Sequence, residues 1–338
     1  MVEQRTENPR VTSSSLVPGK LKQFNTNIKT AMQTNFVYKV YQIYKQNYVN
    51  KKKLIAISSG NDSIVLLIFM NMIQLLLNQS INLIHCNHFY QKCNFYFIQE
   101  VFKITYLVNG TLLISSPIKQ TYTETANRSW RQRIFIRGLL INNSKDLFLA
   151  HTRNDKNETF LFNLMRGTTL QGCSNFTNKK IKIETSCFST SSNKKKLVFQ
   201  TNHEFNFNRP LLNFSRTEIK KLSKVNNFPY SIDPSNLNIT FSRNLIRLII
   251  VPIFKNYFNF NIEKQFVKFL VQAENDSKYF EVTTNKLSQN IKSNKNLTKF
   301  EFRKLPKPFQ YKLLNLCIKK YSGKDVSFNL INKLIEKI

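Results

Sequence analysis

Acidic side chains are scarce. Asp and Glu number 19 against 51 Lys and Arg, which leaves a formal net charge of +32. An imbalance of that size points to a polyanionic partner, nucleic acid first and an anionic membrane surface second. Glycine and proline are scarce as well, at 7 and 9 residues, while Lys, Asn, Ile and Phe abound. The favoured residues have A/T-rich codons, so part of the lysine excess has a mutational reading. Cysteine occurs five times, at Cys86, Cys93, Cys173, Cys187 and Cys317, with irregular spacing and no CxxC pair. A disulfide framework and a zinc ribbon are thereby disfavoured. "HCNHFYQKC", with His85, Cys86, His88 and Cys93, reads as a polar strand end rather than a metal cluster. The longest apolar run, 64–77, is interrupted by Asn71 and Gln74 and falls short of the about 20 residues of a spanning helix. It reads as a buried helix. No charged-then-apolar secretory signal opens the chain. Residues 1–30 read as a polar, disordered tail whose early acids fit a transit peptide poorly.

What is present is a folding chain. Hydrophobic residues make up 41% of 338, enough for one large domain and a smaller one. The pattern predicts an amphipathic helix over 35–48, strands over 53–58, 81–86, 110–116 and 146–152, and helices over 62–77, 123–141 and 157–167, the last ending at Gly167. Strands alternating with helices imply a parallel twisted sheet with helices on both faces. Residues 174–208 hold two weak strands at most. Helical patterning returns over 215–226 and 242–258, and the basic tail beyond about 262 is helical. No internal repeat is evident. The expected division is a tail at 1–30, an α/β domain at 31–212 and a helical, basic region at 213–338.

The chemistry concentrates in "AISSGNDSIVLL", residues 56–67. A loop between a strand and a helix offers backbone N–H groups and the helix dipole to an anion. Ser58, Ser59 and Ser63 can add hydroxyl donors, while Gly60 and Asn61 complete the turn. Asp62 fits a magnesium ligand or a helix cap. No GxxxxGK[ST] occurs, so this is not a Walker A loop. In a parallel sheet, ligands sit beyond the carboxyl ends of the strands. The 58–63 loop and residues 151–155 both lie there, so two distant polar clusters are expected to share one crevice.

The loop resembles the SGGxDS element of the PP-loop ATP pyrophosphatases. "LIHCNHFY" resembles that superfamily's His-x-x-His strand end, and "ETANRSWRQR" its helix with Glu124, Arg128 and Arg131. "AHTRNDKNETFLFNLMRG", "RPLLNFSRTEI" and "YSIDPSNLNITFSRNLIRLIIVP" resemble elements of the tRNA(Ile)-lysidine synthases. The resemblance runs from about residue 50 to about 258. Four positions depart from the pattern. Ser59 stands for the first loop glycine, Thr152 for a second His, Asn154 for a first Asp, and Phe89 for a glycine. Serine at position 59 is tolerable if its φ is negative.

The resemblance implies ATP binding at Ser58–Ser63, with Mg²⁺ at Asp62 and Asp155. It implies catalytic or positioning roles for Asp62, His151, Asp155 and Glu158, the last as holder of lysine's ammonium. Asp155 and Glu158 also sit in a first helical turn, where acids stabilise by dipole alone. Arg128, Arg131, Arg166, Arg209, Arg216, Arg243, Asn244 and Arg247 would face phosphate or tRNA, although each also reads as an ordinary polar or basic surface residue. Aromatics in "FKNYFNF", 254–260, could stack bases, with apolar packing the plainer reading. The implied partners are a tRNA(Ile) with a CAU anticodon and free L-lysine, with no membrane; a homodimer is the candidate assembly. Together with the codon bias, a plastid setting is implied, with a bacterial cytoplasm as the alternative. The rival readings are a PP-loop tRNA thiolase and a basic RNA-binding protein with a decayed nucleotide site.

Overall fold

The computed structural model describes residues 52–76, 80–87, 94–117, 123–170, 172, 179–188, 198–293, 299–322 and 328–337. The tail, the expected helix over 35–48, and His88, Phe89 and Cys93 lie outside them.

Strand β1 (Lys53–Ala56) buries Leu54 and Ile55 completely, although they point to opposite faces. Such a strand belongs inside a parallel sheet. It pairs in parallel with β2 (Asn82–Cys86) on one side and β4 (Asp146–Phe148) on the other. β3 (Thr111–Ser115) extends the sheet beyond β2, and β6 (Val198–Asn208) extends it beyond β4. β5 (Lys179–Phe188) runs antiparallel to β6 at that margin, giving the order β3-β2-β1-β4-β6-β5. Five parallel strands with one antiparallel edge match the expected class. The stretch over 174–208 does not match: its two strands are 10 and 11 residues long. Period-2 burial of Phe205 and Phe207 anchors β6, while the many polar residues of β5 suit a margin rather than a core strand.

Both faces are covered. Helices α1 (Asn61–Leu76) and α2 (Asn94–Leu107) share a core with Ile55, Leu83 and Phe148. Helix α3 (Glu124–Ile141) packs on Leu54, Ile84 and Leu147 from the other side. From Ile64 to Ile73, the apolar residues of α1 are at most 2% exposed, so the long apolar run is a core helix. Among the described residues no helix is long and apolar enough to cross a membrane. Helix α2 was not expected from sequence. Helix α4 (Arg153–Met165) begins four residues earlier than the pattern suggested, and Gly167 follows it at φ +73°, the left-handed stop that glycine permits.

By their contacts the residues fall into two units, Met1–Lys156 with Thr177–Asn238, and Asn157–Phe176 with Ile239–Ile338. The sequence placed its division at 212/213. Helix α5 (Arg216–Val225) belongs to the first unit because Phe214, Ile219 and Phe228 join the α1 core. The Ser223 hydroxyl also donates to the Asn61 side chain.

The second unit is helical around Phe160, Leu161, Ile246, Val251 and Leu270. Its expected helix over 242–258 is broken into α-turns at Ser242–Leu245 and Val251–Ile253 and wider π-turns at Ile246–Ile250 and Phe254–Phe258. Pro252, without an N–H, interrupts a regular ladder there. Helices α6 (Ile262–Ser293), α7 (Lys299–Lys304), α8 (Lys307–Ser322) and α9 (Phe328–Lys337) complete the unit.

Candidate nucleotide site at the strand ends

The loop after β1 braces itself. The Ser63 hydroxyl lies 3.0 Å from the Ser58 hydroxyl and 2.8 Å from the Gly60 carbonyl, and accepts from the Ser58 N–H at 3.2 Å. Ser63 is therefore occupied inside the loop, whereas Ser58 is exposed. Ser59 is buried, and its φ is not positive: among the described residues only Asn109, Asn143 and Asn227 are non-glycines with positive φ. The serine is accommodated without strain. Its carbonyl accepts from the Ser231 N–H at 2.8 Å, which ties the loop to the segment before "DPSN". In that segment Asp233 accepts from the Ser235 N–H at 2.8 Å, a cap on a short 3₁₀ turn.

The parallel pairing of β1 with β4 sets residues 151–155 beside this loop. Thr152 accounts for itself at once. Its N–H and hydroxyl donate to one oxygen of Asp155 at 2.7 and 2.8 Å, and the Asp155 N–H faces the Thr152 hydroxyl at 3.4 Å. This is a capping box at the start of α4. "TRND" carried that signal, and the sequence reading treated it only as a loss of histidine. The Asn154 side-chain oxygen accepts from the backbone N–H of Arg216 at 2.8 Å. That N–H is one of the orphan donors at the start of α5, so an acceptor oxygen suffices at position 154.

Arg216 draws the two clusters together. Its Nη2 lies 2.8 Å from Asp155, and its Nε lies 3.6 Å from Asp62. Burial alone would push the Asp155 carboxyl up. The Arg216 guanidinium, then the His151 ring, then the two Thr152 hydrogen bonds outweigh it and hold the group below the usual carboxylate range. Arg209 donates from Nε to Nδ1 of His151 at 3.0 Å. Burial and the charge of Arg128 bring Arg209 down to about 10. Burial pushes the Cys86 thiol up to about 12, against the opposing charge of Arg131. Arg128 and Arg131 thus both act electrostatically on the carboxyl ends of strands. His85, at the end of β2, sits 2.9 Å from the Ile57 carbonyl through Nδ1, and burial lowers it below its ordinary value against that bond.

Among the described residues no three His, Cys, Asp or Glu side chains converge to hold a metal ion. Asp62 and Asp155 form a two-carboxylate set around a guanidinium, which stands where a cation is called for. That donor set suits Mg²⁺ brought in with a polyphosphate, which needs only one or two protein carboxylates.

The remaining expected residues lie in the second unit. Arg247 grips Glu158 with two hydrogen bonds, 2.8 Å to Oε1 and 2.9 Å to Oε2, and Glu158 is 4% exposed. Arg166 is exposed and lies over the Phe162 ring, 5.1 Å from its centroid. Asn244 is buried and Arg243 half-buried. In "FKNYFNF" Phe254 packs on Phe266, the plainer reading, while Tyr257, Phe258 and Phe260 are 74–82% exposed.

A family model described as a PP-loop domain matches residues 32–254. The chain belongs to the PP-loop family. Within it, this PP-loop chain is 33% identical over 237 residues to the chloroplastic tRNA(Ile)-lysidine synthase of Pyropia yezoensis, covering 69% of its own length and 66% of that protein. It is 30% identical over 245 residues to the tRNA(Ile)-lysidine synthase of Prochlorococcus marinus, covering 68% and 67%. The chloroplastic synthase of Staurastrum punctulatum aligns over 324 residues at 27%, with 85% and 65% covered. The PP-loop chain thus spans about two thirds of the length of these relatives. Among solved structures it superposes on the U34-tRNA thiolase NcsA of Methanococcus maripaludis with a TM-score of 0.52 at 16% identity, over 73% of this chain and 80% of that one. This likeness is one of fold.

Proposed function

We propose that this PP-loop chain is an ATP-dependent carbon–nitrogen ligase. It joins free L-lysine to C2 of the wobble cytidine in the CAU anticodon of tRNA(Ile), giving lysidine, AMP and pyrophosphate, and so changes decoding from AUG to AUA. The observation that carries the reading is Arg216, held between Asp62 and Asp155 at two adjacent strand ends. The relatives' names support tRNA(Ile) as the RNA substrate.

The cytidine 2-oxygen attacks the α-phosphorus of ATP, and the bond from that phosphorus to the bridging oxygen breaks as pyrophosphate leaves. The lysine Nε then attacks C2, the C2–O bond breaks, and AMP departs with the former 2-oxygen while one proton is released. Backbone N–H groups at the start of α1 and the Ser58 hydroxyl bind phosphate oxygens. Arg128 and Arg131 hold further phosphate charge, of ATP or of the anticodon stem. Asp62 and Asp155 would hold Mg²⁺ arriving with the nucleotide, which would neutralise charge on the phosphates. Free lysine is protonated at neutral pH. Glu158, gripped by Arg247, is the acidic group assigned to orient the lysine ammonium. Desolvation of that ammonium then favours the amine. Arg166, Arg243, Asn244 and Arg247 are assigned to the tRNA side. The partners are tRNA(Ile) and lysine, a homodimer is the proposed assembly, and the proposed location is the plastid stroma.

Pyrophosphate release tests the proposal. It should require ATP, Mg²⁺ and the isoleucine tRNA, with lysine completing turnover. Absence of release while tRNA still binds would favour a basic RNA-binding protein instead. Turnover that requires a sulfur donor in place of lysine would favour a thiolase.

A further inference from the structure

We propose that Arg209 is a positioning residue that holds His151 in the tautomer protonated at Nε2, so that the ring serves as a hydrogen-bond donor and not as a base. The protonation state follows from geometry alone; what the donor faces rests on the nucleotide-site reading above.

The Nε of an arginine always carries a hydrogen and has no lone pair to offer. Arg209 Nε lies 3.0 Å from His151 Nδ1. A hydrogen on Nδ1 would set two N–H groups against each other. The Nδ1 lone pair must receive the Arg209 hydrogen, and the ring's own proton must sit on Nε2. Arg209 keeps its charge at neutral pH even though burial and Arg128 bring it down to about 10. The donor is therefore permanent under working conditions.

His85 supplies the opposite case in the same sheet. Its Nδ1 lies 2.9 Å from the Ile57 carbonyl, which can only accept. His85 is thus protonated on Nδ1 when neutral. Two histidines beyond β2 and β4, the strands that flank β1, carry opposite tautomers, each dictated by a partner that cannot change its role.

The consequence concerns the division of labour. With its Nδ1 lone pair engaged, His151 contributes an N–H to phosphate negative charge. It does not take the proton from lysine. Asp155, paired with Arg216, is likewise a poor base, so release of the amine falls to desolvation near Glu158. Arg209 acts through His151, which distinguishes it from arginines that grip phosphate themselves.

The test is nitrogen NMR of the full chain labelled at its four histidines, recorded at pH 8 without nucleotide. The expected spectrum shows His151 with an unprotonated Nδ1 and a protonated Nε2, and His85 with the reverse. In Arg209→Met, His151 should move to a mixture of tautomers while His85 stays unchanged. Turnover should fall roughly 10- to 100-fold with the KM for ATP within about twofold. A wild-type His151 protonated on Nδ1, or one left unaltered by Arg209→Met, would overturn the assignment. If the variant does not fold, the wild-type spectrum decides alone. Because no nucleotide is present, a failure of the ligase reading leaves this outcome untouched.

Discussion

The two ends of one sheet carry similar charges and use them differently. At the amino ends of β1 and β4, Lys53 and Asp146 are register partners, each 1% exposed. Asp146 accepts from the side-chain amides of Asn206 and Asn208 at 2.9 and 3.2 Å, so the group spans three adjacent strands. At the carboxyl ends, Arg216 joins Asp62 and Asp155 with side chains 19–24% exposed. The first group is sealed and fixes which strands lie side by side. The second remains partly open to solvent, and its carboxylates come from the first turns of α1 and α4 rather than from strands. The same ionic chemistry specifies the fold where water is excluded and is available to a substrate where the strands end.

The largest separation between the two ends should come from Asp62→Ala. Pyrophosphate release should fall by roughly a thousandfold, with thermal unfolding and tRNA affinity little changed. Retained turnover would remove the strand-end loop from the chemistry.

Lys53→Met should do the converse. It strands the buried Asp146 charge and should cost about 3–5 kcal/mol of stability in denaturant unfolding. Lys53→Met with Asp146→Asn should recover much of that loss, since the asparagine oxygen still accepts from Asn206 and Asn208. Equal destabilisation by the single and the double variant would show that the charge pairing is not what matters.

Lys53 also gives the sheet a distinctive alkaline response. Burial lowers it from 10.5 to about 8, with the Asp146 charge pulling the other way. Between those values the unfolded chain binds more protons than the folded one, so stability rises with pH across about 8 to 10.5. The contribution is fully present above the upper value and is lost as pH falls through the lower. The gain is at most about 3 kcal/mol. Urea midpoints of wild type compared with Lys53→Met at pH 7.5 and 9.5 should show wild type gaining on the variant. A flat or falling difference would contradict this.

The smallest effects are expected where the sequence looked most abnormal. Ser59→Gly should change turnover less than about threefold and lower stability by about 0.5–1 kcal/mol, because the native φ needs no glycine. Asn154→Asp preserves the acceptor for the Arg216 N–H and should also stay within about threefold. A large gain from either restoration would mark these departures as functional losses.

Much of this was legible in the residues. Leu54 and Ile55 announce a buried strand, and the run from Ile64 to Ile73 announces a core helix. The loop Ser58–Ser63 and the segment 151–155 follow from where polar clusters meet strand ends, whereas His151 and Asp155 within it were singled out by the family resemblance. Helix α2 was hidden because Phe95, Phe102 and Tyr106 are 54–82% exposed, which blurs its apolar face. β5 and β6 were underrated because much of their length is polar in sequence, and their long antiparallel pairing joins residues that are distant from the apolar signals. Arg216 on Asp155 and Arg209 on His151 join residues 61 and 58 positions apart, and only the tertiary fold selects those partners from the many arginines.

One measurement addresses the central claim most directly. The purified chain is incubated with ATP, Mg²⁺, isotopically labelled lysine and an isoleucine tRNA transcript bearing CAU, with methionine tRNA as the control. The RNA is then digested to nucleosides and analysed by mass. The account predicts a lysine adduct of cytidine from the isoleucine tRNA alone. Unmodified cytidine in both RNAs, with the isoleucine tRNA demonstrably bound, would contradict it.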